Sequence, residues 1–288
     1  MKKKILLTAV AAAAIAVSAQ AQVRYLKADQ PYTFTGTTAT GTGTITYQWY
    51  RNGQPIANAT SASYTMPAGL ASGADVEVKR GVMSSTCSNN ISYTNRFVIT
   101  FVSCMTVGSV CWAEANVDAY QTFAPRPDMY TMFYQWDRSA AWPATGSISG
   151  WNNTANTTTT WSVNPCPTDW RLPTSTEFTA LHNAGTTWVN AGIRGAAVSG
   201  RFYGPNHATA ASCTLPNNMT NCVFLPAAGG RYGSDGEANN YTECCGNYWS
   251  STQNSSTTGY SLDFTSSSSN PSRNNDKSYA FAIRCVMQ

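Results

Sequence analysis

All nine cysteines of this 288-residue chain lie beyond residue 86, and in an exported protein thiols at that density point to covalent cross-links. The first residues carry the marks of export. Lys2, Lys3 and Lys4 form a basic start, Ile5 to Val17 is an apolar run too short to span a bilayer, and Ala19-Gln20-Ala21 is a small-x-small cleavage site. Residues 1–21 are therefore expected to be a signal peptide, with Gln22 the mature N-terminus. No later segment reads as a membrane span, so the expected location is secreted or on the extracytoplasmic cell surface. The cysteines are Cys87, Cys104, Cys111, Cys166, Cys213, Cys222, Cys244, Cys245 and Cys285. An odd count leaves at least one thiol unpaired or bridging two chains. Zinc is disfavoured, because the spacings match no finger or ribbon and the only histidines are His182 and His207.

Charge narrows the function. Setting aside the three leader lysines leaves 15 basic against 14 acidic residues. A nucleic-acid binder needs a basic patch to neutralise phosphates, and none is visible. The richness in Thr, Ser, Asn, Gly and Tyr suits strands and turns rather than helix bundles.

Two regions differ in pattern. Residues 22–103 read as all-β. Ile45, Tyr47 and Trp49 alternate with polar neighbours, Asn52-Gly53 supplies a tight hairpin turn, and the alternation returns at Tyr64 and Met66, Val76 and Val78, and Phe97, Ile99 and Phe101. Short, evenly spaced strands of this kind predict a β-sandwich. Tyr47-Gln48-Trp49-Tyr50-Arg51-Asn52-Gly53 resembles the third strand of bacterial immunoglobulin-like domains, which act mostly as spacers, although Cys87 has no partner in the expected early strand. Residues 104–288 are denser in aromatics, with a polar low-complexity loop over Asn152 to Thr160. One helix is predicted there. Thr174 and Glu177 form a capping box, Phe178 and Leu181 share a face, and Gly185 stops it. Tyr279, Phe281 and Ile283 are expected in a terminal strand, giving an α+β domain whose ends are tied together.

Five ordered motifs then carry a resemblance: Cys166-Pro167-Thr168-Asp169-Trp170-Arg171-Leu172-Pro173-Thr174, Gly200-Arg201-Phe202-Tyr203-Gly204, Phe224-Leu225-Pro226-Ala227-Ala228-Gly229-Gly230-Arg231, Tyr248-Trp249-Ser250-Ser251 and Ile283-Arg284-Cys285-Val286. In this order they resemble the Fibrobacter succinogenes major paralogous domain, with Phe133-Tyr134-Gln135-Trp136 fitting its N-terminal part. Asp169 stands where that family more usually has Gly. The resemblance implies a C-type-lectin-like fold following the immunoglobulin-like sandwich, a loop-rich face free to bind, and a Cys166–Cys285 disulfide. Cys213 and Cys222, nine residues apart, are paired as a loop staple. Cys104 and Cys111 are a further candidate pair. Cys244 and Cys245 are not expected to bond each other, since vicinal bridges are strained.

Catalytic signatures are weak. Gly-x-Ser-x-Gly is absent, His182 and His207 lack an evident partner, and Asp235 with Glu237 reads as a solvated turn. A formylglycine-generating enzyme shares the implied fold and uses two cysteines, so Cys244-Cys245 keeps an enzyme alternative open. The Glu-Pro-Asn and Trp-Asn-Asp signatures of calcium-dependent lectins are missing, and no metal or cofactor is expected. The most informative segment is Thr252 to Tyr279, where 19 of 28 residues are Ser, Thr, Asn or Tyr. That is paratope chemistry: amphipathic contact area from Tyr, adaptable hydrogen bonds from Ser and Asn. It is also the product set of Asn-codon diversification. The expected ligand-binding residues are Trp249, Asn254, Tyr260, Asp263, Asn270, Arg273, Asn274, Asn275 and Tyr279, with Tyr260 and Arg273 as anchors. The expectation is a non-catalytic, adhesin-like module for an extracellular protein or glycan, with a structural surface or pilus subunit as the alternative.

Overall fold

The computed structural model describes residues 21–27, 30–69, 76–86, 91–102, 104–216, 218–239 and 241–288. The signal-peptide expectation for residues 1–20 and the pairing of Cys87 lie outside the described residues. Among the described residues the chain is mostly β with one α-helix, and it divides into two compact units between Thr100 and Phe101. No helix among the described residues is long and apolar enough to cross a membrane.

The first unit holds β1 (Gln22–Leu26), β2 (Tyr32–Thr35), β3 (Ile45–Arg51), β4 (Gln54–Pro55), β5 (Ser63–Met66), β6 (Val76–Ser84) and β7 (Ser92–Phe101). Five of them form a sheet in the order β1-β7-β6-β3-β4, and β2 pairs with β5. Asn52 and Gly53 both take positive φ, 47° and 81°, which is what a two-residue turn between β3 and β4 requires. Trp49 is fully buried. Its ring meets Phe34 of β2 at 6.3 Å and Phe97 of β7 at 6.5 Å, so the β2–β5 pair packs on the larger sheet through an aromatic core. Val78, Ile99 and Phe101 bury the alternate positions that the sequence marks.

The second unit contains β8 (Cys104–Val107), β9 (Val110–Ala113), β10 (Phe133–Gln135), β11 (Ala141–Trp142), β12 (Trp170–Arg171), α1 (Ser175–Asn183), β13 (Thr186–Val189), β14 (Gly200–Tyr203), β15 (Cys213–Thr214), β16 (Asn218–Met219), β17 (Val223–Pro226), β18 (Cys245–Gln253), β19 (Thr258–Thr265), β20 (Ser269–Asp276), β21 (Ala280–Phe281) and β22 (Val286–Met287). The ends of the unit meet in one sheet, β12-β22-β9-β8, where Val286 pairs with both Arg171 and Trp112. The expected terminal strand is broken into β21 and β22. Between them Ala282 bridges Tyr248 and Ile283 accepts from Val117 N–H at 3.0 Å, so backbone groups there bond different neighbours in turn. The Cys166–Cys285 disulfide closes the same region, and Cys213–Cys222 and Cys104–Cys111 are also bridged.

The helix begins as its sequence dictates. Thr174 Oγ1 accepts from the Glu177 N–H at 3.2 Å, and Glu177 Oε2 accepts from the Thr174 N–H at 2.7 Å. Arg171 adds a bidentate pair to Glu177, at 2.8 and 2.6 Å, which together with these bonds holds the Glu177 carboxyl below its ordinary range against the opposing effect of burial. Phe178 and Leu181 point into the core. The chain leaves through Gly185 at φ +106°, a conformation that favours glycine. On one side of the three-stranded sheet that they form, α1 packs along β18, β19 and β20.

Candidate functional site: the polar face of the Cys245–Asp276 sheet

The Ser/Asn-rich segment Thr252 to Tyr279 is largely strand. β18 and β19 pair antiparallel from Cys245↔Thr265 to Gln253↔Gly259, and β19 pairs antiparallel with β20 from Thr258↔Asp276 to Phe264↔Ser269. A strand sends alternate side chains to opposite faces, so the nominated residues cannot all share one surface. Face membership follows from the register. Asn247 opposes Asp263, Trp249 opposes Ser261, Ser261 opposes Arg273, and Gly259 opposes Asn275. A bulge between Ser261 and Asp263 brings Asn270 opposite Asp263, on the same side.

This face is a connected polar patch. Ser261 Oγ donates to Asp263 Oδ1 at 2.6 Å, and Asn275 Nδ2 donates to Ser261 Oγ at 2.8 Å and to Asp263 Oδ2 at 3.1 Å. Asn247 also hydrogen-bonds the Asp263 carboxylate, while its own Oδ1 is buried without a partner among the described residues. Burial raises the Asp263 carboxyl above its ordinary value, and the Ser261, Asn275 and Asn247 bonds and the nearby Arg273 cation offset that shift only in part. Arg273 and Asn270 are exposed.

Aromatic rings frame the patch. Trp136 lies over Gly259, where any Cβ would strike its ring, and it stacks edge-on against Trp249 at 5.6 Å and beside Trp161 at 5.1 Å. From Trp249 a row of rings runs outward: Phe281 at 4.5 Å, Tyr279 at 5.8 Å from Phe281, and Tyr232 at 6.3 Å from Tyr279. Tyr232 hydrogen-bonds Tyr241, which raises its phenol pKa, and the two rings are 36% and 46% exposed. Exposed tyrosines that end a chain of buried rings are rigid, amphipathic contact surface.

The nominated residues therefore divide. Asp263, Asn270, Arg273 and Asn275 lie together on the polar face, and Tyr279 lies in the aromatic row. Tyr260 opposes Asn274, and both take the other side of the sheet, the side on which α1 packs. Asn254 is in the turn after β18, donating to Thr258 Oγ1 at 3.1 Å. Trp249 shares the face with Ser261 but is fully buried beneath neighbouring rings and donates Nε1 to the Tyr134 carbonyl at 3.0 Å. Asn247, Ser261, Tyr232 and Tyr241 were missed by sequence reasoning. The alternation of Asn247 with buried Tyr248 and Gly246 is the signal that could have found the first.

The two histidines weighed for catalysis bond other partners. His182 Nδ1 is 3.2 Å from Ser269 Oγ, which also bonds the Tyr203 hydroxyl at 2.9 Å. The charged group beside His182 is the Arg201 guanidinium, which joins burial in holding the imidazole pKa down. His207 bonds Thr187 Oγ1 at 2.6 Å. Asp235 and Glu237 are exposed, and Asp235 Oδ1 accepts from the Glu237 N–H at 2.9 Å, a solvated turn. No group of three His, Cys, Asp or Glu side chains among the described residues is arranged to hold a metal ion.

The five sequence motifs, in contrast, are interior. Cys166, Trp170, Phe202, Tyr203, Phe224, Leu225, Arg231, Tyr248, Trp249, Arg284 and Cys285 are all buried to within 1% of completeness or better. Arg231 donates to the carbonyls of Pro143, Gly236, Thr145 and Gly146, at 2.6–3.1 Å. Arg284 donates to Asn116 Oδ1 and to the carbonyls of Ala113, Glu114 and Phe224. Each arginine ties several loops to the core through backbone acceptors. Residues 83–287 match the Fibrobacter succinogenes major domain. The chain belongs to this family. In the Fibrobacter succinogenes major domain of this chain these motif residues serve the interior. The matched stretch begins at Met83, within β6, and so includes β7 as well as the second unit. No curated protein and no solved structure matches the chain.

Proposed function

We propose that the mature protein is an extracytoplasmic, non-catalytic binding module. In this reading a C-type-lectin-like domain, preceded by an immunoglobulin-like spacer, presents the β20 side of the β18–β20 sheet, at the exposed Asn270 and Arg273, to an extracellular protein or glycan. The observation that carries it is the exposed Arg273 and Asn270 beside the hydrogen-bonded Ser261, Asp263 and Asn275, together with the exposed rings of Tyr232 and Tyr241 at the end of the aromatic row. Tyr and Arg are the residues that most often dominate binding energy, and a half-buried carboxylate with a raised pKa is electrostatically unfavourable for the scaffold unless a partner uses it. Three disulfides and the lack of a membrane-crossing helix among the described residues are compatible with that location.

The polymer-subunit alternative is less favoured. β20 is an edge of its sheet, but Pro271, a bulge and Arg273 blunt it against pairing with another strand. The test is an array of extracellular glycans and proteins probed with the mature protein, followed by Arg273→Ala, Tyr241→Ala and the control Asn254→Ala. Loss of at least about tenfold in affinity, ~1.4 kcal/mol, is expected for the first two and none for the control. A captured ligand that binds all three variants as it binds the parent would rule out this face.

A further inference from the structure

Six described cysteines are joined in three disulfides, while Cys244 and Cys245, neighbours in sequence, remain thiols with their Sγ atoms 2.8 Å apart. We propose that Cys244 and Cys245 form a dithiol–disulfide exchange site that reacts reversibly with external disulfides, unlike the structural bridges of the same chain.

The local backbone already gathers the pair. Glu243 takes a left-handed φ of +66°, and the N–H groups of Cys244 and Cys245 both donate to the Tyr241 carbonyl, at 3.1 and 2.9 Å. Glu243 is itself pinned, since its carboxylate accepts from the Ser199 N–H at 2.8 Å and from the Tyr130 hydroxyl. The two sulfurs therefore need to approach by only about 0.8 Å to reach the ~2.05 Å of a disulfide. A bridge between adjacent residues is strained, and strained or exposed disulfides are the easily reduced ones. Cys166, Cys285, Cys213 and Cys222, by comparison, are wholly buried.

Access separates the roles of the two thiols. Cys244 is exposed and meets the incoming reagent, whereas Cys245 is half-buried and its thiol is pushed up to about 12, chiefly by burial. In the forward direction the Cys244 thiolate attacks one sulfur of an external disulfide. A new S–S bond forms, the external S–S bond breaks, and one external thiolate leaves and takes a proton. The Cys245 sulfur then loses its proton to the second leaving thiolate and attacks Cys244 Sγ, closing the vicinal bridge. Two protein thiols are oxidised to one disulfide, and one external disulfide is reduced to two thiols.

The test uses the full mature chain, oxidised glutathione as the external disulfide, and alkylation followed by mass spectrometry of the peptide containing both residues. The expected product is lighter by two hydrogens and resists alkylation. Mild dithiothreitol then restores two reactive thiols while Cys166–Cys285 and Cys213–Cys222 persist. Cys245→Ser is expected to stop at a single glutathione adduct on Cys244, and Cys244→Ser to react far more slowly. Both thiols remaining alkylatable after oxidant would overturn the proposal. So would a bridge from either residue to Cys87, or a Cys244–Cys245 bridge that opens only after denaturation.

Discussion

Asn275 reaches across the β19–β20 ladder to donate to Asp263 at 3.1 Å, yet burial still leaves the Asp263 carboxyl above its ordinary pKa of 3.8. A folded-state acid with a raised pKa binds its proton more tightly than the unfolded chain does. Stability is therefore favoured at low pH and declines as pH rises from about 3.8 through the raised folded value. Asp263→Asn removes that titration. Urea unfolding across a pH series should find the variant more stable than the parent above this window and the difference shrinking below it. A variant less stable than the parent at neutral pH would mean that the carboxylate is favourable to the scaffold.

The parts of the fold legible in sequence were those whose cause is local. Asn52-Gly53 announces a hairpin because both residues tolerate positive φ, and Thr174 with Glu177 announces a helix start because their side chains satisfy orphaned N–H groups. The Cys166–Cys285 bridge came with the family resemblance. The polar face was only half legible. β20, Ser-Asn-Pro-Ser-Arg-Asn-Asn-Asp, is polar on both sides and so lacks the alternation that marks a strand, and bulges at Trp249/Gln253 and Ser261/Asp263 break the period further. Without that alternation the sequence assigns its residues no facing. Once paired, Arg273 and Asn275 separate from Asn274, and Tyr260 turns away with it. Tyr232 and Tyr241 lie in a Gly-rich connection, where no periodicity could reveal that Tyr232 meets both Tyr241 and Tyr279.

Arg284 tests whether the motif arginines are structural. The guanidinium is fully buried, its pKa is lowered to about 10 by that burial, and its donors meet one side-chain and three backbone acceptors. Arg284→Met keeps an apolar volume but strands those acceptors, each worth roughly 1–3 kcal/mol when left buried and unpaired. The expected loss is at least about 3 kcal/mol by urea denaturation. A loss under ~1 kcal/mol would show that the carbonyls find other donors.

Asp169 takes a left-handed φ of +71°. An L-residue pays a steric cost there that glycine avoids, and Asp pays less than most. Asp169→Gly is expected to raise stability by about 0.5–1 kcal/mol, read as a higher thermal midpoint, with the near-ultraviolet circular dichroism unchanged. A lower midpoint would indicate that the Asp169 side chain contributes more than its backbone costs.

Two of the disulfides differ mainly in the loop that each closes. Cys166–Cys285 spans 119 residues and Cys213–Cys222 spans 9, and all four cysteines are wholly buried, so local packing losses on substitution are comparable. The chain-entropy argument assigns about 4–5 kcal/mol to the long loop and about 2.5 kcal/mol to the short one, as upper figures. The long bridge also sits beside the β12–β22 pairing that joins the ends of the second unit, whereas the short one staples the β15–β16 hairpin. Replacing each pair by Ala and measuring unfolding in urea should therefore cost more for Cys166/Cys285, by about 2 kcal/mol. The reverse order would mean that the Cys213–Cys222 hairpin holds tertiary contacts that loop length does not capture, and that the two ends of the unit stay joined by the sheet alone.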